Sequence, residues 1–301
     1  TLTEQNYIKR VPLDVYRQQK RGGRGVTGMA TKEEDVVDKV FMASTHDYLL
    51  CFTNKGRAYW LRVYDIPEGS RTAKGKAIVN LLNLTDEDVS AVIPLRSFDS
   101  DKYFLYATKS GRIGKFSQDL FSRPRAGGII GMTLLDGDEL VDVVMTNGKS
   151  DVVLTTAYGQ SLRFSEEEVR ATGRGSQGVI GIKMKYEEDR VCGLTLVDEK
   201  AKYLFLLTDK GFGKRTLFDE FMGHGRATQG VRAITANFER GPVVSAVAVS
   251  DEDDVVVTTA GGIVMRTHAA DISVQGRSAQ GVRVIRVDSG DKVTGVAVVS
   301  P

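Results

Sequence analysis

Six times along this 301-residue chain an arginine is followed four residues later by a glycine, at nearly even intervals. The pairs are Arg21–Gly25, Arg71–Gly75, Arg123–Gly127, Arg174–Gly178, Arg226–Gly230 and Arg277–Gly281. Successive arginines are 50, 52, 51, 52 and 51 residues apart. A period in this range marks a solenoid, an array or a radial propeller, because each repeat is one supersecondary unit that buries its apolar face only against its neighbours. The repeated residue is also a cation. Whatever one copy contributes, the fold contributes six times around one body.

A second signal, Thr-x-x-Gly, precedes each loop: Thr53–Gly56, Thr108–Gly111, Thr156–Gly159, Thr208–Gly211 and Thr259–Gly262. Four residues after the glycine stands Lys115, Arg163, Arg215 or Arg266, while the second repeat has Trp60 there, flanked by Arg57 and Arg62. The first repeat fits as Thr3, Asn6 and Arg10, and asparagine is the best non-glycine residue where φ must be positive. Short apolar runs such as Tyr203 to Leu207 end at these turns, which suits strands buried on both faces. A second strand follows the glycine, a third is expected from the loop glycine (Val282 to Ile285), and a fourth closes the repeat (Val293 to Val299). No long apolar stripe of period 3.6 appears, and Phe218 to Met222 is expected to hold a helical turn at most. The expectation is an all-β body of six blades with about four strands each, repeats falling near 1–46, 47–100, 101–149, 150–200, 201–252 and 253–301. An open superhelix is the alternative arrangement. The first repeat begins inside its opening strand, with the terminal strand Val293 to Ser300 as the candidate that closes a ring.

Composition excludes several classes. No apolar run reaches membrane-spanning length and no signal peptide opens the chain, so a cytoplasmic setting is expected. Cys51 and Cys192 sit in apolar runs without paired spacing and read as reduced core residues. His46, His224 and His268 are scattered singly, so no metal site is expected. Gly173-x-Gly175-x-x-Gly178 matches a dinucleotide fingerprint by letter but lacks a strand–helix setting. No nucleophile–base pairing stands out, so no catalysis is expected.

Net charge is only +2, but its distribution is periodic. Cations gather with the loops, whereas acids gather elsewhere, as in Glu33-Glu34-Asp35, Asp86-Glu87-Asp88, Glu187-Glu188-Asp189 and Asp251 to Asp254. Glu166-Glu167-Glu168 breaks the pattern by lying in a basic half. Radial repetition turns such phasing into a basic band and a separate acidic band, and a basic band attracts a polyanion whatever the total charge.

The first loop reads Gln19-Lys20-Arg21-Gly22-Gly23-Arg24-Gly25. Its glycines permit close approach of backbone N–H groups to an anion, with three cations around them. This heptad closely resembles the box that marks the C-terminal domain of the gyrase A protein, in the DNA gyrase family of type IIA topoisomerases. Tyr7-Ile8-Lys9-Arg10 and the six repeats extend the resemblance over nearly the whole chain. Lys20 departs from the family's arginine, keeping the charge but losing the bidentate fork. The resemblance implies a six-bladed β-pinwheel that exchanges strands between blades and wraps double-stranded DNA around its outer rim, so that the parent enzyme adds negative supercoils. It further implies an N-terminal breakage-reunion domain on the same polypeptide and the gyrase B protein as partners in an A2B2 assembly. The catalytic tyrosine belongs to another domain, and ATP and Mg2+ act elsewhere, with no cofactor in this one.

The expected DNA contacts are the box together with Lys9 and Arg10, then Arg57, Arg62, Arg71, Lys74 and Lys76 in the second repeat. Lys115, Arg123 and Arg125 follow in the third, Arg163 and Arg174 in the fourth, Lys214, Arg215 and Arg226 in the fifth, Arg266 and Arg277 in the sixth. Two structural alternatives stay open: each loop guanidinium could pair with a carbonyl or carboxylate of the adjacent blade, and the loop glycines could serve only the turn. At the level of function, the C-terminal domain of a topoisomerase IV and a propeller-type protein-interaction module such as the chromosome-condensation regulators are the competing readings.

Overall fold

The computed structural model describes residues 1–30 and 37–301. Its strands form six sheets on one plan, the third carrying a fifth strand, Ala171–Thr172, parallel to Arg112–Ser117. In the sixth, the opening strand Asp254–Thr259 lies between its hairpin partner Ile263–His268 and the closing strand Val293–Val299. The fourth strand comes from a different repeat: Val26–Thr27 pairs antiparallel with Ile263 and Val264. The other five sheets take theirs from the following repeat, for example Val282–Arg283 on the fifth sheet and Ile129–Ile130 on the second. The strand expected at each loop glycine therefore exists, but it is two residues long and completes the preceding blade.

This exchange also corrects the expected closure. The terminal strand stays in its own blade, paired with Asp254–Thr259, and the ring is closed by Val26–Thr27 reaching back to the sixth blade. The first blade does have an opening strand, Leu2–Thr3, held between Tyr7–Ile8 and Val37–Lys39.

The Thr-x-x-Gly element makes the hairpin turn and the stitch between blades at once. In all six copies the residue at the glycine position donates its N–H to the threonine carbonyl, at 2.9–3.1 Å. The threonine hydroxyl accepts the N–H four residues on, as from Tyr7, Arg112 and Ile263. The glycine position has positive φ throughout, and Asn6 adopts φ 62° as its chemistry led one to expect. Its carbonyl then receives N–H groups from the next repeat: Gly211 from Val284 and Ile285, Gly262 from Gly28 and Met29. A Cβ on Gly262 would lie 2.0 Å from the Met29 carbonyl oxygen, so the stitch needs glycine sterically as well.

Apolar side chains of the opening strands fill the gaps between neighbouring blades. Phe52, Phe104 and Phe116 converge on Phe121, with ring centroids 5.6–5.7 Å apart. Closing strands line the axis around a cavity of 420 Å³. A single 3-10 turn follows every second strand, including Phe218–Glu220 where a helical turn was expected. Around this scaffold the short exchanged strands and the loops before them form the perimeter.

Candidate nucleic-acid interface on the rim

Each Arg-x-x-x-Gly loop lies over the end of the preceding blade and is fastened there by its carbonyls. Beneath the second loop, Lys9 Nζ donates to the carbonyls of Ser70, Arg71 and Ala73 at 2.8–2.9 Å. Beneath the sixth, Lys214 Nζ donates to Gly276 and Arg277 at 2.5 and 2.9 Å. The fourth loop uses a different donor, because Tyr106 fills the space above Gly114 and its hydroxyl reaches the Ser176 carbonyl at 3.1 Å. A second clamp holds the loop exit: Arg57 on Gly127, Arg112 on Gln177 and Gly178, and Arg240 on Gly281. Desolvation pulls the Lys9 and Lys214 ammonium groups down to about 8. Both lysines were expected on DNA; both are buried, and the correction is that they support the loops from inside.

The cations four residues after the turn glycine are also tied to the protein, Lys115 and Arg215 buried, Arg10, Arg163 and Arg266 half-buried. Arg10 Nε donates to the Ile66 carbonyl at 2.6 Å, Arg163 to the Phe218 carbonyl at 3.0 Å, and Arg215 to the Ile272 carbonyl at 2.8 Å. Each acceptor lies on the 3-10 turn of the next repeat or directly after it. Arg163, Arg215 and Arg266 also pair with Asp151, Asp251 and Asp254. Lys115 forms an ion pair with Glu166 at 3.2 Å, their side chains 6% and 0% exposed. Trp60 is no exception to this role. Its Nε1–H donates to the Phe121 carbonyl at 2.9 Å, the equivalent acceptor, so an indole does here what a guanidinium does elsewhere. The anomalous Glu166 is likewise accounted for, since its carboxylate accepts from Thr146 and Ser150 as well as pairing with Lys115.

The loop arginines face outward, and four also reach sideways. Arg21, Arg174, Arg226 and Arg277 donate to the carbonyls of Arg283, Ile130, Ile180 and Arg232, each on the exchanged strand of the preceding repeat. The side chains of Arg71 and Arg123 are exposed and make no hydrogen bond or ion pair with a described residue; the same holds for the side chains of Lys20, Arg24, Lys74, Lys76 and Arg125. Arg62 is exposed and pairs with Asp65. Spacing alone misplaced one glycine. In the third loop the left-handed residue is Gly128, φ 71°, so this loop is one residue longer than the others.

The Gln19–Gly25 heptad has a structural task that its sequence did not announce. Gln19 N–H donates to Arg266, Gly22 N–H to Val284, and the Gly23 carbonyl accepts from Arg286. A Cβ on Gly25 would lie 2.7 Å from the Val264 carbonyl oxygen. The box glycines thus form the seam between the sixth and first blades, leaving Lys20 and Arg24 directed to solvent.

Acids flank this rim at both ends of the strands instead of forming one separate band. Asp88 and Asp189 sit beside the hairpin turns at Asn54 and Tyr158. Asp251 to Asp254 lies at the opposite strand end, where Asp254 opens its strand. Glu33, Glu34 and Asp35 lie outside the described residues. Among the described residues no group of His, Cys, Asp or Glu could hold a metal ion, and no helix is long and apolar enough to cross a membrane. The repeat pattern does not single out these three: Arg112 opens the second strand of its blade, Arg240 lies in the loop before the closing strand Val243–Val249, and Tyr106 covers Gly114.

The family model for the DNA gyrase C-terminal domain, beta-propeller, matches residues 1–44, 47–95, 102–147, 150–197, 202–250 and 253–300. The DNA gyrase A protein of Salmonella typhimurium is 43% identical over 297 residues, covering 98% of this chain and 34% of that protein. The DNA gyrase A protein of Chlamydia muridarum is 41% identical over 304 residues, covering 100% and 36%. The chain thus spans roughly a third of the length of these relatives. A solved DNA gyrase A C-terminal domain superposes with a TM-score of 0.91 at 29% identity, over 99% of this chain and 97% of that one. The C-terminal domain of DNA topoisomerase IV gives 0.74 at 27% identity, over 99% and 92%.

Proposed function

This chain belongs to the DNA gyrase C-terminal domain, beta-propeller family, and from that premise we propose that it binds duplex DNA along its rim and bends it around the ring. The observation that carries this reading is the state of the loop cations. Loop carbonyls are turned inward onto Lys9, Lys214 and Tyr106, while Lys20, Arg24, Arg71, Lys74, Lys76, Arg123 and Arg125 stand exposed without partners among the described residues. A surface so arranged offers positive charge at repeated intervals and no fixed pattern for reading bases.

Bending sets the need for repetition. Curving a short site by 40–90° costs roughly 1–6 kcal/mol, and a half-circle costs on the order of 10 kcal/mol. One loop cannot offset that, whereas contacts shared around a ring can. If about ten phosphates are neutralised, log K falls with log[salt] at a slope near −9. Sequence preference then comes from DNA deformability, not base contacts. In this reading the domain does no chemistry and needs no cofactor. It serves a cytoplasmic gyrase in which the breakage-reunion domain and the gyrase B protein act on the crossing that the wrap presents, so that negative supercoils accumulate. Resemblance to the gyrase domain exceeds that to topoisomerase IV in TM-score, and the heptad is intact.

The test incubates the chain with nicked plasmid, ligates, removes protein and measures linking number. A protein-dependent shift of one sign is expected. Binding without a shift would reduce the function to simple DNA association, and absence of binding would remove it.

A further inference from the structure

The six loops are not equivalent, and the difference divides the rim into two sectors. The residue immediately before the left-handed glycine is Arg24 in the first loop and Lys74 in the second. In the third loop Gly127 takes that place, but the extra residue leaves both Arg123 and Arg125 exposed. In the fourth, fifth and sixth loops the same position is Gln177, Gln229 and Gln280, all exposed. A second observation runs parallel to the first. The Arg71 and Arg123 side chains have no partner among the described residues, whereas Arg174, Arg226 and Arg277 are tied to carbonyls of the preceding repeat at 3.1, 2.9 and 3.2 Å. Arg21 in the first loop is tied likewise at 3.3 Å, and there the cations without a side-chain partner are Lys20 and Arg24. Carboxylates add to this: the loop N–H of Arg226 donates to Glu168, and that of Arg277 to Glu220.

We propose that the rim holds the DNA backbone in two zones, a retaining zone over the loops of repeats one to three and a yielding zone over those of repeats four to six. This rests on the DNA-binding reading above. The physical reason is that a cation with no protein partner meets a phosphate without first giving up a hydrogen bond, and each neutralised phosphate releases counterions. An exposed amide can donate to a phosphate but neutralises nothing. Duplex therefore seats first across residues 20–125 and lies over the second half of the ring only when bending permits. It peels from the second half first as salt rises. The wrap is adjustable in length, with its fixed end beside the seam between the sixth and first blades.

The experiment attaches an iron chelate to a single introduced cysteine, at Tyr64→Cys before the second loop or Met222→Cys before the fifth. Both side chains are strongly exposed, at 72% and 74%. Hydroxyl-radical cleavage of a linear duplex is followed as salt is raised. Cleavage from position 222 is expected to disappear at lower salt than cleavage from position 64. Combining Gln177→Lys, Gln229→Lys and Gln280→Lys is expected to bring the two midpoints together and to steepen the salt slope of binding by about 2.7, at 0.9 for each added phosphate contact. Coincident midpoints in the parent protein, or earlier loss at position 64, would overturn the two-zone rim while leaving DNA binding intact. No cleavage from either position would instead remove the DNA-binding reading on which it rests.

Discussion

Replacing Lys115 by methionine separates a cation that builds the ring from a cation that serves its surface. Lys115 Nζ lies 2.9 Å from the Glu166 carbonyl oxygen and 3.2 Å from Glu166 Oε1. The Glu166 side chain is fully buried, and Oε1 has no other hydrogen-bond partner. Methionine preserves most of the aliphatic volume, so the perturbation is chiefly electrostatic: a carboxylate remains in the interior with Thr146 and Ser150 as its donors. Breaking a buried pair on one side costs about 3–5 kcal/mol. For a chain of this size that lowers the melting temperature by roughly 5–8 °C. Urea denaturation would measure the loss, and DNA titration over a range of salt would measure the slope in parallel. The slope should stay unchanged, because the ammonium never meets a phosphate. Adding Glu166→Met should recover part of the stability, limited by the donors then left without an acceptor. A loss below about 1 kcal/mol, or a slope flatter by about 0.9 at full stability, would refute the assignment of Lys115 to the interior.

Other outcomes follow from the same geometry. Trp60→Arg should be tolerated within about 1 kcal/mol, since the Phe121 carbonyl is where the other repeats aim a guanidinium, whereas Trp60→Ala should cost about 3 kcal/mol or more in chemical denaturation. Gly25→Ala forces a left-handed residue (φ 74°) against the Val264 carbonyl, so it should cost about 2 kcal/mol or more and speed amide hydrogen exchange at Val264 across the seam. Asp142 lines the axial cavity, and desolvation raises its carboxyl to about 7. The folded state then holds a proton that the unfolded chain has released between about pH 4 and 7, so stability from this group falls as pH rises through that window. Asp142→Asn should flatten that fall, gaining over the parent at pH 8 and little below pH 4 in paired melting curves. Lys214, lowered to about 8, has the opposite sign: the unfolded chain binds the extra proton between about pH 8 and 10.5, so its contribution rises with pH there. Lys214→Met should lose that rise, read as the difference in denaturation midpoint between the two proteins across the window.

Local chemistry made the repeat legible. Thr-x-x-Gly and the loop glycines announce turns that require positive φ, and Asn6 falls in the same register on its chemistry alone, because asparagine tolerates that conformation. The apolar runs marked the opening strands because burial on both faces keeps the middle of each strand apolar, with polar residues confined to its ends. The six-fold β architecture and a rim of repeated loops were therefore written in the sequence. The fate of each cation was not. Lys115, Arg163, Arg215 and Arg266 look as suited to phosphate as Lys74 or Arg24, since charge and spacing say nothing about which way a strand-edge side chain turns. One clue was present for Lys9 and Lys214: the equivalent residues in the other repeats are Tyr59, Gly114, Leu162 and Met265, an interior set. Strand exchange decided the rest. By laying each loop over the previous blade it supplied inward carbonyls for some cations, sideways carbonyls for Arg21, Arg174, Arg226 and Arg277, and nothing for the side chains of Arg71 and Arg123. It also made the Gln19–Gly25 heptad the ring's seam, through contacts with Arg266, Arg283 and Val284, residues more than two hundred positions away. Sequence determined the unit and its period, because turns and buried strands are short-range matters. Which charges remain free is a long-range matter, settled only where one repeat meets the next.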